Sequence, residues 1–118
     1  MMIPVSAQPK DERVLSGEEI TKLIVNRRIY LQVPLGGEFP LHYMPNGVVD
    51  GTGTAAGLGH LARVSDEGRW WVTKETLCQQ WKKYENGRRF CFRLTNKGDG
   101  RLAWDRDDGL KGLARIGD

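Results

Sequence analysis

Cys78 and Cys91 are the only thiols in this 118-residue chain and lie thirteen positions apart in the stretch LCQQWKKYENGRRFCF. Redox couples and most zinc sites rely on a C-x-x-C spacing, which is missing. Metal ligation would have to recruit His42 or His60, and neither stands at a spacing that completes a four-ligand set. Two readings remain, free buried thiols of a reducing cytosol and a disulfide. The Asn86-Gly87 dipeptide bears on the choice. Taken as a two-residue hairpin turn, it sets Trp81 against Phe92 and Cys78 against Thr95, four residues from Cys91. That is roughly 13 Å at the rise of a strand, beyond the Cα separation of about 7 Å at which a disulfide can close. A shifted register opposes the two cysteines and leaves KKYENG as a wider loop. The shift is even, so Leu77, Gln79 and Trp81 keep the face they share with Phe90, Phe92 and Leu94. A cross-link over a loop of this size adds about 2–3 kcal/mol. The bridged register is therefore the expected one, and it implies an oxidising compartment.

Other residue types that could do chemistry are scattered. Ser6, Ser16 and Ser65, the only serines, fall in a tail, a helix cap and a turn, where no Ser-His-Asp set can form. Asp105, Asp107 and Asp108 cluster in WDRDDG, but their spacing is not that of a calcium loop, and turn acidity accounts for them. His42 and His60 have no catalytic company. No catalytic residue, cofactor or metal site is implied, and a non-enzymatic binding protein is expected.

Two surfaces are candidates for binding. Lys82, Arg89 and Arg93 align on the outer face of the cysteine hairpin, with Lys83 and Arg88 at its loop. Such a patch could hold an acidic protein or an anionic envelope component, or simply be a solvated face. Alternatively, Tyr43, Trp70, Trp71, Trp81, Phe92 and Trp104 could line the inside of a curved sheet and hold a small apolar ligand. A filled core is the ordinary alternative for a chain this short.

These residues need a scaffold. The length and a hydrophobic content of 39% suit one compact core. No apolar run approaches the roughly 18 residues that cross a bilayer as a helix. The net charge of +3 is too small for a typical nucleic-acid module, and a monomer or weak dimer is expected. The cationic excess is local, with eight Lys and Arg against four Asp and Glu between residues 61 and 95.

Residues 1–13 read as a flexible tail, in which Val5 and Ala7 followed by Gln8 fit the end of a signal peptide. The domain then spans 14–118. Ser16 and Glu19 make a capping box, and Leu15 with Ile20 a hydrophobic staple. Ile20, Leu23 and Ile24 form an apolar stripe on a helix of two to three turns that ends near Asn26. Beyond it, about eight or nine short segments of strand type are punctuated by Pro45-Asn46-Gly47, Asp66-Glu67-Gly68, Lys74-Glu75, Asn86-Gly87, Gly98-Asp99-Gly100 and Asp107-Asp108-Gly109. GTGTAAGLG reads as a loop or a loose, bulged edge. The pattern predicts an all-β domain with one short N-terminal helix, an antiparallel meander forming a strongly curved sheet or small lipocalin-like barrel.

LSGEEITKLI, the PNG hairpin, GRWWV, LCQQW, CF and the final DGLKGLARIGD together resemble a family of small exported proteobacterial β-rich proteins of unknown function. The resemblance spans residues 15–118 and is most specific in the series Trp71, Cys78, Trp81, Cys91. It implies a periplasmic or secreted β domain with a Cys78–Cys91 bridge and no catalytic residue. The LGGEFPLHYM segment departs from the pattern through its proline.

Overall fold

The structure is a computed structural model describing residues 13–32, 37–57 and 60–117. The expected processing feature at Val5–Ala7, nearly all of the expected tail, the Pro34-Gly36 break and the Leu58-Gly59 tip lie outside the described residues. Arg13, placed in the tail by the sequence reading, belongs to a short strand, β1 (Arg13–Val14), paired with Asn96.

The helix α1 (Gly17–Ile24) begins where the capping box puts it. The Glu19 amide donates to Ser16 Oγ at 3.2 Å, and the Ser16 amide donates to Glu19 Oε1 at 2.9 Å. Arg13 grips the same carboxylate with two bonds of 2.9 and 2.7 Å, tying β1 to the helix start. These donors, Arg13 first, hold the Glu19 carboxyl down at about 2. Asn26 follows the helix in the left-handed region at φ 60°, and its amide donates to the Tyr43 carbonyl. A helix of eight residues has too few internal bonds to stand alone. Leu15, Ile20 and Ile24 are therefore buried in the core.

The remaining strands are β2 (Arg27–Gln32), β3 (Glu38–Tyr43), β4 (Val48–Gly57), β5 (His60–Thr73), β6 (Thr76–Trp81), β7 (Arg89–Gly98), β8 (Arg101–Arg106) and β9 (Lys111–Ile116). Each pairs antiparallel with the next, and β9 returns to β2, closing an eight-stranded barrel with β1 as an extra strand on β7. At the seam Ile29 faces Ile116 and Leu31 faces Ala114. A clamp crosses it outside: Arg115 on β9 reaches over the Tyr30 ring and makes two bonds of 2.7 and 2.9 Å to Glu38 on β3.

Turns follow the punctuation in most places. Met44–Gly47 joins β3 to β4, with Gly47 at φ 88° and its amide donating to the Met44 carbonyl. Lys74-Glu75 and Asp99-Gly100 are tight connections, and Lys74, Asp99 and Gly100 all take positive φ. Near Pro40 the pairing is regular with β2, opposite Tyr30, while the β3–β4 ladder stops at Leu41, one residue short of it. A ring without an amide proton cannot extend a ladder.

Two expectations are corrected. GTGTAAG, read as a loop or a loose, bulged edge, is neither a loop nor bulged: it is the larger part of β4, paired residue by residue with β5 out to Gly57 and His60, and it is an edge only in that β3 does not pair with it beyond Gly51. Its inward glycines make room for an aromatic cover, since a Cβ on Gly53 would lie 2.9 Å from the Phe39 ring. Asp66-Glu67-Gly68 is likewise not a turn but the middle of β5. Gly68 is required there, because any Cβ would strike the Gln80 carbonyl and approach Trp81 Cα to 2.8 Å. Beyond Gly51 and Asp66 the two strands pair only with each other, so they leave the ring as a ribbon, and the molecule measures 59 × 32 × 28 Å.

The cysteine hairpin takes the bridged register, with Cys78 opposite Cys91, Leu77 opposite Phe92 and Gln79 opposite Phe90. The sulfurs are bonded, and the Cα atoms are 4.0 Å apart, as in the close pairs of an antiparallel ladder. Asn86-Gly87 does turn the chain, but within a wider loop whose Tyr84–Gly87 turn has positive φ at Glu85, Asn86 and Gly87.

Replacing both cysteines by serine is expected to lower unfolding stability by about 2–3 kcal/mol, the loop entropy of a cross-link of this span. Urea denaturation of the two proteins checks it. Gly68→Ala is expected to cost at least as much, about 2–4 kcal/mol, because the obstructing atoms are backbone. The stabilising grip on Glu19 is complete above its ordinary pKa of 4.5 and is lost as pH falls toward about 2. Acid titration of Glu19→Gln should therefore lack a component that the native protein shows in that window.

Candidate functional site

Alternation along the eight strands turns one residue in two toward the barrel interior. These inward residues do not fill it. A cavity of about 710 Å3 runs from Ile24 of α1, at the plugged end, to the opposite end, where the β6–β7 and β8–β9 connections lie. Leu41, Leu77, Phe92, Leu94, Leu102 and Trp104 form much of its wall.

The vacancy has a residue-level cause. Ala114 on β9 faces inward between Leu31 and Leu102, where a larger side chain would reach the axis. Gly51 on β4 is inward and opposite Leu41. Gly112 lies opposite Trp104, and its missing side chain lets the indole rest on the strand: a Cβ there would be 2.5 Å from Trp104 Cζ2. Trp104 also meets Phe92 edge to face at 5.5 Å. Its Nε1 has no hydrogen-bond partner, the one such buried side-chain atom among the described residues. At the open end Val64, Tyr84 and Leu110 line the mouth and are 41, 46 and 50% exposed, an apolar rim facing solvent.

Polar groups reach the cavity at a few points. The Tyr43 hydroxyl donates to Gln79 Oε1 at 2.8 Å, with both residues buried. Burial pushes the Tyr43 phenol well above the ordinary tyrosine range. Nearer the mouth, Arg106 projects inward from β8, its side chain only 7% exposed. It donates through Nε and Nη2 to the Asp108 carboxylate at 2.9 and 2.8 Å and through Nη1 to the Tyr84 hydroxyl at 3.1 Å. Its guanidinium lies 3.9 Å from the centre of the Phe90 ring. The bonds from Arg106 hold the Asp108 carboxyl far below its usual range, and Asp108 in turn raises Arg106. Asp66 also borders the mouth, and its carboxylate accepts from the backbone amides of Lys83 and Tyr84, anchoring the loop there.

Of the aromatic candidates, Tyr43, Trp81, Phe92 and Trp104 line the cavity. Trp70 and Trp71 do not. Neighbours on a strand face opposite sides: Trp70 points inward at the plugged end, donating from Nε1 to the Met44 carbonyl at 2.8 Å with the edge of Tyr43 against it. Trp71 stands opposite Cys78 on the outer face.

The basic candidates divide as well. Lys82 pairs with Glu67 at 3.2 Å and Arg88 with Asp108 at 3.0 Å. Arg89 is exposed opposite Gln80, and Arg93 is exposed opposite Asp105. Lys83 sits at the cavity mouth without an ion pair among the described residues. Arg106, Tyr84 and Gln79 were not singled out from the sequence. Their signal was available, since Arg106 and Trp104 share strand parity, as do Gln79 and Trp81.

The acidic and histidine residues are not brought together. Asp105 faces outward toward Lys111, Asp107 accepts from the Cys91 amide, and His42 lies on β3 opposite Asp50. The side chain of His60 lies outside the described residues. Among the described residues no group of three or more His, Cys, Asp and Glu is arranged to hold a metal ion, and no helix is long and apolar enough to cross a membrane. Comparison with protein-family models, with curated proteins and with solved structures finds no match.

The buried phenol yields a titration test. Of the three tyrosines, Tyr43 should stay protonated when the pH passes the ordinary value of 10, seen as one missing phenolate absorbance step in the folded protein. Its folded pKa is raised, so the associated stability is complete below about pH 10 and falls above it. Tyr43→Phe should leave the phenolate absorbance of the folded protein just above pH 10 unchanged, because the phenol it removes is still protonated there, and should cost about 1–2 kcal/mol through the unpaired Gln79 carbonyl.

Proposed function

We propose that this protein binds and carries one small, largely apolar molecule inside its barrel, and that it works outside the cytoplasm. The observation that carries the reading is the cavity of about 710 Å3, within the range of sites for small ligands and walled mainly by aliphatic and aromatic side chains. Void in a protein interior costs dispersion contacts, so a barrel of this length would be more stable with Leu or Phe at Ala114. An apolar rim that stays open to solvent is also what entry of such a ligand requires. The Cys78–Cys91 bridge supports an exported, periplasmic or secreted setting, because disulfides persist in oxidising compartments.

The other binding surface, the basic hairpin, has less in its favour. Lys82 is paired with Glu67, Arg88 shares Asp108 with Arg106, and Arg93 faces Asp105. An acidic partner would have to compete with these neighbours for charge that is already screened by water.

The test is titration with the fluorescent apolar probe N-phenyl-1-naphthylamine. Saturable fluorescence enhancement with one site per chain is expected. Ala114→Phe, which fills the ring from inside, should weaken the probe by at least roughly tenfold, about 1.4 kcal/mol, while thermal stability is unchanged or higher. Equal probe affinity in native protein and variant, or no saturable binding, would remove the reading.

A further inference from the structure

Resting on the carrier reading, we infer that the ligand is an amphiphile with a single carboxylate, held with its apolar body in the barrel and its oxyanion at the mouth between Lys83 and Arg106. The reasoning starts from the cost of Arg106. A guanidinium whose side chain is 7% exposed, set in a wall of Leu, Phe and Trp, has surrendered most of its hydration. Asp108 compensates its charge through two bonds, and Tyr84 takes a third. Five N–H groups are available on arginine, so two remain without a partner among the described residues, on a side chain that borders the cavity. Planar, forked donors of this kind match a carboxylate.

The charges around the mouth favour an anion as well. Lys83 and Arg106 border the cavity together with Asp66, and Arg88 and Asp108 stand just behind. Among the residues that line the cavity itself, two cations, Lys83 and Arg106, face one carboxylate, Asp66. Both Asp66 and Asp108 are already committed, Asp66 to backbone amides and Asp108 to the two arginines. Of Lys83, Arg88 and Arg106, Lys83 is the one without an ion pair among the described residues. A cationic head would meet Lys83 and Arg106 at close range, and a neutral head would leave their N–H groups unmatched once it excluded water.

Competition against bound N-phenyl-1-naphthylamine tests this with three chains of equal length: dodecanoate, dodecanol and dodecyltrimethylammonium. Dodecanoate is expected to displace the probe at a concentration at least tenfold below that of dodecanol, with the trimethylammonium compound weakest. Lys83→Gln, an exposed change that should fold, is expected to shrink the acid-to-alcohol ratio at least threefold. Arg106→Lys keeps the charge but loses the fork, and should also shrink it. Equal displacement by acid and alcohol, preference for the cation, or a ratio unmoved by both variants overturns the carboxylate while leaving the carrier reading in place. If the probe itself does not bind, both fall together.

Discussion

Ring closure between β2 and β9 is the constraint from which the other features descend. Antiparallel strands that neighbour one another in sequence need only short turns, so a meander forms easily, but an open meander would present two long unpaired edges. Joining Ile29 and Leu31 to Ile116 and Ala114 removes them. Closure with eight strands also sets an interior wide enough for side chains to fill or for one small ligand. Which of these occurs depends on a few positions, and here Gly51 and Ala114 fall where larger residues would have reached the axis.

The two barrel ends are treated unequally, and the asymmetry gives the interior a direction. At one end α1 lies under the strands with Ile20 and Ile24 buried, its own length too short to persist without them. At the other, Val64, Tyr84 and Leu110 remain partly in water, and Arg106, Asp108 and Tyr84 form a polar network over Phe90. The disulfide braces the hairpin that carries part of this open end. It fixes the register of β6 against β7 at Cys78 and Cys91, and so determines which residues of the Lys82–Arg88 loop come to the mouth.

The β4–β5 ribbon shows a different use of the same alternation. Along the inner face of β4 glycines recur at Gly51 and Gly53, and the Phe39 ring covers them. A strand so poor in side chains reads as a loop in sequence, because glycine raises the entropy lost on ordering. Ladder bonds to β5 and the aromatic cover outweigh that loss, although neither lies nearby in sequence.

Local patterns in the sequence were sufficient for the helix, its capping box, its buried stripe, most of the turns and the antiparallel meander. Each depends on residues a few positions apart or on strict alternation, and such short-range energetics are written into the chain itself. Three matters were decided only by the tertiary structure. The first is that glycine-rich and Asp-Glu-Gly segments continue strands, since their support comes from β5, β6 and Phe39. The second is that Trp70, although it points inward, packs against Tyr43 at the plugged end and stays off the cavity wall. The third is the cavity with Arg106 at its mouth. A void has no local signature: it is the difference between the width of a closed ring and the summed volume of side chains that meet only when the ring has closed.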